Sequence, residues 1–243
     1  MIHELTHKLD ALAAADNLPL MLNKIETATG RDQQLDWFQK SQKTAVRLAH
    51  AKQDLQELVY SYSRLAMSEF EPVDVNEVVL KVIRQLSKKA QEVQTKILIT
   101  EAPGVPIAQA VRPRLEQVIT NIILNAIQQI DLQRRRMVEF QYPTTSPQQG
   151  IIHVKIRYRK LESPFPIEIV VTDSGPGISA YRQEDIFLLD SSGRRKGHGL
   201  GLYISRSLIE TMGGQVCLAD SVMFIGSVFV IALPEFPSTG AIR

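Results

Sequence analysis

The chain has 243 residues, of which 44% are hydrophobic and 22% charged, and its formal net charge is +2. These values are ordinary for a globular protein and exclude a disordered or fibrous chain, and so small a charge predicts no nucleic-acid partner. No apolar run approaches the roughly 18 residues of a membrane-spanning helix, and the N-terminus lacks a signal-peptide pattern. We therefore predict a cytoplasmic protein without membrane contact by this segment. The single cysteine, Cys217, has apolar neighbours and is predicted to pack in the core.

Residues 1–70 predict two amphipathic helices. Apolar residues recur at steps of three and four within residues 2–12 and again within residues 33–65, and residues 27–32 form the predicted turn. Two helices alone bury too little apolar surface to be stable. We therefore predict a helical hairpin that pairs with a second copy as a four-helix bundle, so that the protein is a homodimer. Packing of the hairpin on the rest of its own chain is the alternative.

Residues 71–243 predict a second domain, joined to the first by a linker at residues 68–74 that contains Pro72. The predicted helices are 75–93, 113–131 and 200–212, and the predicted strands are 96–100, 150–159, 167–173, 215–219 and 227–233. This mixture predicts an α/β sandwich, in which helices cover one sheet.

Three glycine-containing turns lie in the second half of the chain, at residues 173–178, at residues 197–202 and at Gly213-Gly214. Glycine lets a backbone approach a ligand closely. The middle turn opens a predicted helix, whose free N–H groups and dipole favour an anion such as phosphate. Glycine turns are usually only turns, so this pattern alone is a weak signal.

Two asparagines, Asn121 and Asn125, lie four residues apart in the middle of a predicted helix. Asparagine is unfavourable inside helices, and this spacing places both side chains on one face. A carboxamide oxygen can bind magnesium while the ion holds a triphosphate. Capping of a neighbouring turn, or exposure to solvent, is the alternative explanation.

The order Asn-x-x-x-Asn-Ala, Asp-x-Gly-x-Gly and Gly-x-Gly-Leu-Gly resembles that of the GHKL ATPases, which have the Bergerat fold and include gyrase-like, heat-shock and mismatch-repair ATPases and the histidine kinases. Arg114-Leu115 and the run from Gly201 to Gly214 are similar to the histidine-kinase branch. The resemblance covers residues 73–234. It implies an α plus α/β architecture, with the helical hairpin followed by a Bergerat-type sandwich, and it implies ATP and Mg²⁺ as cofactors.

Position by position, the resemblance implies that Asn125 coordinates magnesium and that Asp173 accepts a hydrogen bond from the adenine amino group. Gly175 and Gly177 would shape the adenine pocket. The other implied nucleotide contacts are Arg194, Arg195, Lys196, Gly197, His198, Gly199, Leu200 and Gly201.

An ATP lid is implied at residues 178–197, which include Phe187 and the basic run Arg194, Arg195 and Lys196. Positive charge near a triphosphate neutralises charge that develops during phosphoryl transfer. A solvated surface loop is the alternative for this basic run.

Three further positions on the predicted helix 113–131 refine the resemblance. Asn121 stands where the gyrase-like branch has a catalytic glutamate, and an amide cannot act as a base at neutral pH. It therefore favours transfer to a protein group over hydrolysis. Gln128 and Gln129 stand where Lys or Arg is usual, so that one phosphate contact is missing or has moved to the lid.

The implied phosphoacceptor is His3 in the sequence His3-Glu4-Leu5, with Glu4 orienting the imidazole or taking its proton. His7 stands where Thr or Asn is usual, which makes it an alternative acceptor and puts phosphatase activity in doubt. The start so close to His3 indicates a segment of a longer sensor protein.

The predicted function is that of a protein-histidine autokinase that passes its phosphoryl group to the receiver domain of a response regulator. A nucleotide-binding scaffold or phosphotransfer module without kinase activity is the alternative, and a gyrase-like ATPase is a third.

Overall fold

The computed structural model describes residues 69–102, 104, 107–139, 149–159, 164–188 and 199–237, together with Asp36, Gln39 and Lys40. Nearly all of the predicted hairpin at residues 1–70 lies outside the described residues, so the hairpin and its pairing into a four-helix bundle stay predictions. The described residues of 69–188 and 201–237 fall within one compact unit, to which Gly199 and Leu200 do not belong. None of the described helices is long and apolar enough to cross a bilayer.

The described residues from position 69 onward form four helices and seven strands. In chain order they are β1 (Glu71–Asp74), α1 (Val75–Glu92), β2 (Thr95–Thr100), β3 (Ile107–Ala110), α2 (Arg112–Glu139), β4 (Gly150–Tyr158), β5 (Ile167–Asp173), α3 (Ala180–Gln183), α4 (Gly199–Thr211), β6 (Gln215–Val222) and β7 (Gly226–Leu233). Five strands form one sheet in the order β2-β4-β5-β7-β6, and β1 and β3 form a separate pair. The predicted α/β sandwich is confirmed.

The core lies between one face of the large sheet and the helices. On β5 the side chains of Ile167, Ile169 and Val171 are fully buried, while Glu168 between them is partly exposed. This alternation is expected because successive side chains of a strand point to opposite faces. The longest of the described helices, α2, buries a stripe at helical spacing: Leu115, Val118, Ile119, Ile122, Ile123, Ala126, Ile127 and Ile130. Each such aliphatic side chain contributes roughly 1.5–3 kcal/mol when fully buried.

Capping and ion pairs set two helix ends. Helix α1 begins after Asp74, whose carboxylate accepts a hydrogen bond from the Glu77 N–H at 3.2 Å. Helix α2 ends at Glu139 rather than at the predicted Asp131. The Asp131 carboxylate pairs with Arg135 one turn later at 2.7 Å, and no proline or glycine interrupts this stretch. The sequence therefore continues the helix past the predicted end.

Two predictions about local structure are wrong. The proposed linker at residues 68–74 contains strand β1, which pairs antiparallel with β3 and fully buries Val73. Four residues with a proline are too short for alternation to reveal a strand. Cys217 is exposed, whereas its neighbour Val216 is buried. Adjacent residues of edge strand β6 face opposite sides of the sheet, so apolar neighbours in sequence do not make Cys217 a core residue.

Candidate functional site

Asp173 is the last residue of β5 and continues the inward-facing series of that strand, so its carboxyl lies at the edge of the core with 8% of the residue exposed. The Gly175 N–H donates to Oδ1 at 2.8 Å, and the Ser227 N–H also donates to the carboxylate. Burial raises the pKa of this carboxyl to about 6, although the two hydrogen bonds act in the opposite direction. At neutral pH the group is a buried acceptor that retains capacity for a further donor.

Gly175 keeps space open beside this carboxylate. A Cβ atom on Gly175 would lie 2.8 Å from Asp173 Oδ1, 3.6 Å from Gln129 Cβ and 3.7 Å from Ile130 Cγ1. The first distance is too short for a Cβ atom, so a larger residue at position 175 would displace the Asp173 carboxylate. The same distances place Gln129 of α2 close to the acidic group.

Gly177 has a structural explanation that does not involve a ligand. Its φ of +68° lies in the left-handed region, and a Cβ atom there would overlap the carbonyl oxygen of Val222. The loop after β5 therefore packs directly against the turn between β6 and β7. The implied contribution of Gly177 to an adenine pocket stays a prediction.

Asn121 links α2 to the first turn of α4. Its amide Nδ2 donates to the Gly201 carbonyl oxygen at 3.4 Å and to the Ser205 hydroxyl at 3.5 Å. Ser205 is fully buried, and its own hydroxyl donates to the same Gly201 oxygen at 2.7 Å. The side chain thus has a positioning role at α4, and these contacts are made by its amide nitrogen and not by its oxygen. Asn125, one turn further along α2, is half-buried.

Helix α4 begins at Gly199, as the glycine turn predicts. The first N–H groups of a helix have no partner inside it and carry partial positive charge, which suits a phosphate. Gly199, Leu200 and Gly201 form this first turn. The other predicted contacts on the lid side lie outside the described residues: Arg194, Arg195, Lys196, Gly197 and His198. The predicted acceptor residues His3 and Glu4 lie outside them as well.

Phe187, assigned to the lid, belongs to the core. Its ring packs edge-on against Phe229 of β7 with ring centroids 6.3 Å apart, and the residue is 7% exposed. The segment after β5 is therefore anchored at least as far as Phe187. The lid implied at residues 178–197 stays a prediction. The contact of Phe187 with β7 could not be read from the sequence, because an aromatic residue in a polar segment gives no sign of its long-range partner.

Ser227 is a site residue that sequence analysis missed. It lies opposite Asp173 in the β5–β7 pairing and is 5% exposed. Its contact with the carboxylate depends on the register of two strands, which pairs residues 54 positions apart in the chain. No local sequence pattern encodes such a pairing. The donor is a backbone N–H, which every residue except proline has, so the residue type at position 227 gave no signal.

Helix α2 connects the two ends of the site. Asn121, Asn125 and Gln129 recur every four residues and so lie along one side of the helix, which rises 1.5 Å per residue and covers about 12 Å over this span. One end meets the first turn of α4, and the other meets Gly175 beside Asp173. The row therefore runs along α2 from the contact with Gly201 of α4 to the buried carboxylate of Asp173.

Comparisons with known proteins show which family this chain resembles. The family described as histidine kinase-, DNA gyrase B- and HSP90-like ATPase matches residues 110–237. The sensor histidine kinase ZraS of Escherichia coli (strain K12) is 32% identical over 192 residues, which are 79% of this chain and 36% of ZraS. The sensory histidine kinase/phosphatase NtrB of Klebsiella oxytoca is 31% identical over 142 residues, which are 58% of this chain and 38% of NtrB. The solved catalytic domain of histidine kinase ThkA matches with a TM-score of 0.53 and 25% identity, over 69% of this chain and 96% of that domain.

The chain belongs to the histidine kinase-, DNA gyrase B- and HSP90-like ATPase family. Within this family it contains a histidine-kinase catalytic core, as its similarity to ZraS and ThkA shows. The predicted family is thereby confirmed. The chain spans little more than a third of the length of ZraS and NtrB.

Proposed function

We propose that this chain is the ATP-binding and phosphoryl-transferring part of a protein-histidine autokinase in a two-component signalling system. The observation that carries the proposal is the row Asn121, Asn125 and Gln129 on α2, which runs from the first turn of α4 to the buried carboxylate of Asp173. A nucleotide is the class of ligand with a hydrogen-bonding base at one end and a polyanion at the other.

At the base end, Asp173 accepts a hydrogen bond from the exocyclic amino group of adenine. An ionised carboxylate only accepts, so it selects adenine over guanine, which presents a carbonyl oxygen at the corresponding position. Gly175 keeps the approach to the carboxylate free, and Gln129 lies beside it. Gly177 supports the loop from behind through its contact with Val222.

At the phosphate end, the N–H groups of Gly199, Leu200 and Gly201 face the anion, with Arg194, Arg195, Lys196, Gly197 and His198 contributing from the lid. The half-buried amide of Asn125 fits a magnesium ligand, because its oxygen is a hard donor on the same side of α2. When bound, magnesium neutralises charge on the phosphates. Asn125 would orient the triphosphate, and Asn121 would hold α4 in place.

The absence of a base at Asn121 favours transfer to a protein side chain over hydrolysis. The acceptor is His3: an imidazole nitrogen forms a bond to the γ-phosphorus, the bond to the bridging oxygen breaks, and ADP leaves. Glu4 takes the imidazole proton. A receiver-domain aspartate of a response regulator then accepts the phosphoryl group. Residues 1–70 form the dimerising hairpin that presents His3, and the protein acts in the cytoplasm.

Incubation with γ-labelled ATP and Mg²⁺ tests the proposal. We expect an acid-labile, base-stable label on the protein that is lost in His3→Gln and in Asp173→Asn. His7→Gln is the matched control, and loss of label there with retention in His3→Gln would move the acceptor to His7. ATP binding without any label contradicts the kinase proposal and favours a nucleotide-binding scaffold. Steady phosphate release without label favours a gyrase-like hydrolase.

A further inference from the structure

The loop that begins at Asp173 is hydrogen-bonded to the turn between β6 and β7. We name residues 173–178 the glycine loop and residues 221–226 the hairpin turn. The Phe224 N–H of the hairpin turn donates to the Pro176 carbonyl oxygen of the glycine loop at 2.7 Å. Phe224 holds a φ of 65°, a conformation that a bulky residue rarely adopts, while its side chain is 75% exposed. The hydrogen bond to Pro176 thus connects the backbone of this turn to the glycine loop.

The two segments meet backbone against backbone. A Cβ atom on Gly177 would overlap the Val222 carbonyl oxygen, and a Cβ atom on Gly226 would overlap the Asp173 carbonyl oxygen. No side chain fits between them at either point. A shift of the hairpin turn must therefore move the glycine loop with it.

Ser221 lies at the centre of this contact. Its hydroxyl oxygen accepts from the Ile178 N–H at 2.8 Å, donates to the Gly226 carbonyl oxygen at 3.2 Å and lies 3.0 Å from the Ser227 hydroxyl. The Ser227 N–H donates to the Asp173 carboxylate. One short series of hydrogen bonds therefore connects Ser221 to both ends of the glycine loop.

We propose that Ser221 is a positioning residue for nucleotide binding, which holds the glycine loop so that Asp173 meets the adenine base. The inference rests on the proposed nucleotide site and assigns it a supporting residue from β6, a strand that carries none of the glycine motifs. Gln183 of α3 reinforces the same point, because its side-chain amide donates to the Ser221 carbonyl oxygen at 3.1 Å and to the Ile178 carbonyl oxygen at 2.8 Å.

The test compares Ser221→Ala with Ser221→Thr, which keeps the hydroxyl. Ser87→Ala is the matched control, since the exposed Ser87 hydroxyl donates within its own helix to the Arg84 carbonyl oxygen at 2.8 Å. ATP binding is measured by titration calorimetry between pH 5 and pH 8 on the full chain, with circular dichroism to verify folding. We expect the Kd for ATP to rise about tenfold in Ser221→Ala, as for loss of one hydrogen bond that leaves a donor unpaired. Ser221→Thr restores binding, and Ser87→Ala does not change it.

The pH profile separates positioning from simple loss of stability. If the donors around Asp173 shift in Ser221→Ala, the pKa of the Asp173 carboxyl rises. ATP binding by the variant then begins to weaken at a higher pH than ATP binding by the wild type. The inference is overturned if Ser221→Ala is folded and binds ATP with unchanged affinity. It is also overturned if Ser221→Ala binds ATP more weakly with an unchanged pH profile and Ser221→Thr does not restore the affinity. A wild-type chain that does not bind ATP overturns the proposed function instead.

Discussion

Replacement of Asp173 by asparagine should stabilise the nucleotide-free domain while it weakens nucleotide binding. Burial raises the pKa of this carboxyl from 3.8 to about 6 on folding, so the folded state favours the protonated form. The contribution of this group to the stability of the folded state is therefore most favourable below pH 3.8 and is lost as the pH rises through 6. Above pH 7 the full shift lowers the free energy of unfolding by about 3 kcal/mol, and at pH 5 the loss is about half of that.

Asparagine carries no charge and so avoids this cost at every pH. We expect Asp173→Asn to raise the free energy of unfolding by about 1–3 kcal/mol at pH 8, where the lower value allows for a poorer acceptor towards Gly175 and Ser227. Urea unfolding at pH 5 and pH 8 measures the gain. Asp220→Asn, at an exposed position on β6, is the control and should show no gain.

The same variant should bind ATP at least about tenfold more weakly, since a hydrogen bond to a charged acceptor contributes about 1.5–3 kcal/mol. Wild-type affinity should itself fall as the pH drops below about 6, because the protonated carboxyl accepts less well. A variant that is less stable at pH 8, or equally stabilised at pH 5 and pH 8, would refute the reasoning about burial. Undiminished ATP affinity would refute the role in adenine recognition.

Three other substitutions test separate parts of the structure. Gly177→Ala should cost about 2–4 kcal/mol in urea unfolding because its Cβ overlaps Val222, whereas Gly213→Ala, at a φ of +73° with open space around it, should cost only about 1 kcal/mol; equal costs would contradict the packing argument. Asp74→Ala should lower stability by about 1 kcal/mol through loss of the α1 cap, and Asp74→Ser should largely restore it. Asn125→Ala should weaken ATP binding in the presence of Mg²⁺ with little change in melting temperature, and retained Mg²⁺-dependent affinity would exclude Asn125 as the ligand.

Local sequence patterns were sufficient for most of the sandwich. Helix α1 and strand β5 agree with their predicted bounds to within a residue, because 3.6-residue and two-residue periods record which face of an element meets the core. The order of the asparagine, aspartate and glycine motifs was sufficient for the family. It also identified Asp173 and Gly199 as the ends of two elements at the candidate site.

Only the tertiary structure decided how those residues are held. The pKa of Asp173 depends on burial by neighbours distant in sequence, and its contact with Ser227 depends on strand register. The requirement for glycine at position 177 comes from Val222, and the exposure of Cys217 from its side of an edge strand. Composition and periodicity depend only on the residues within one segment. Contacts between segments far apart in the chain arise only when folding brings them together, and the positioning of this site consists of such contacts.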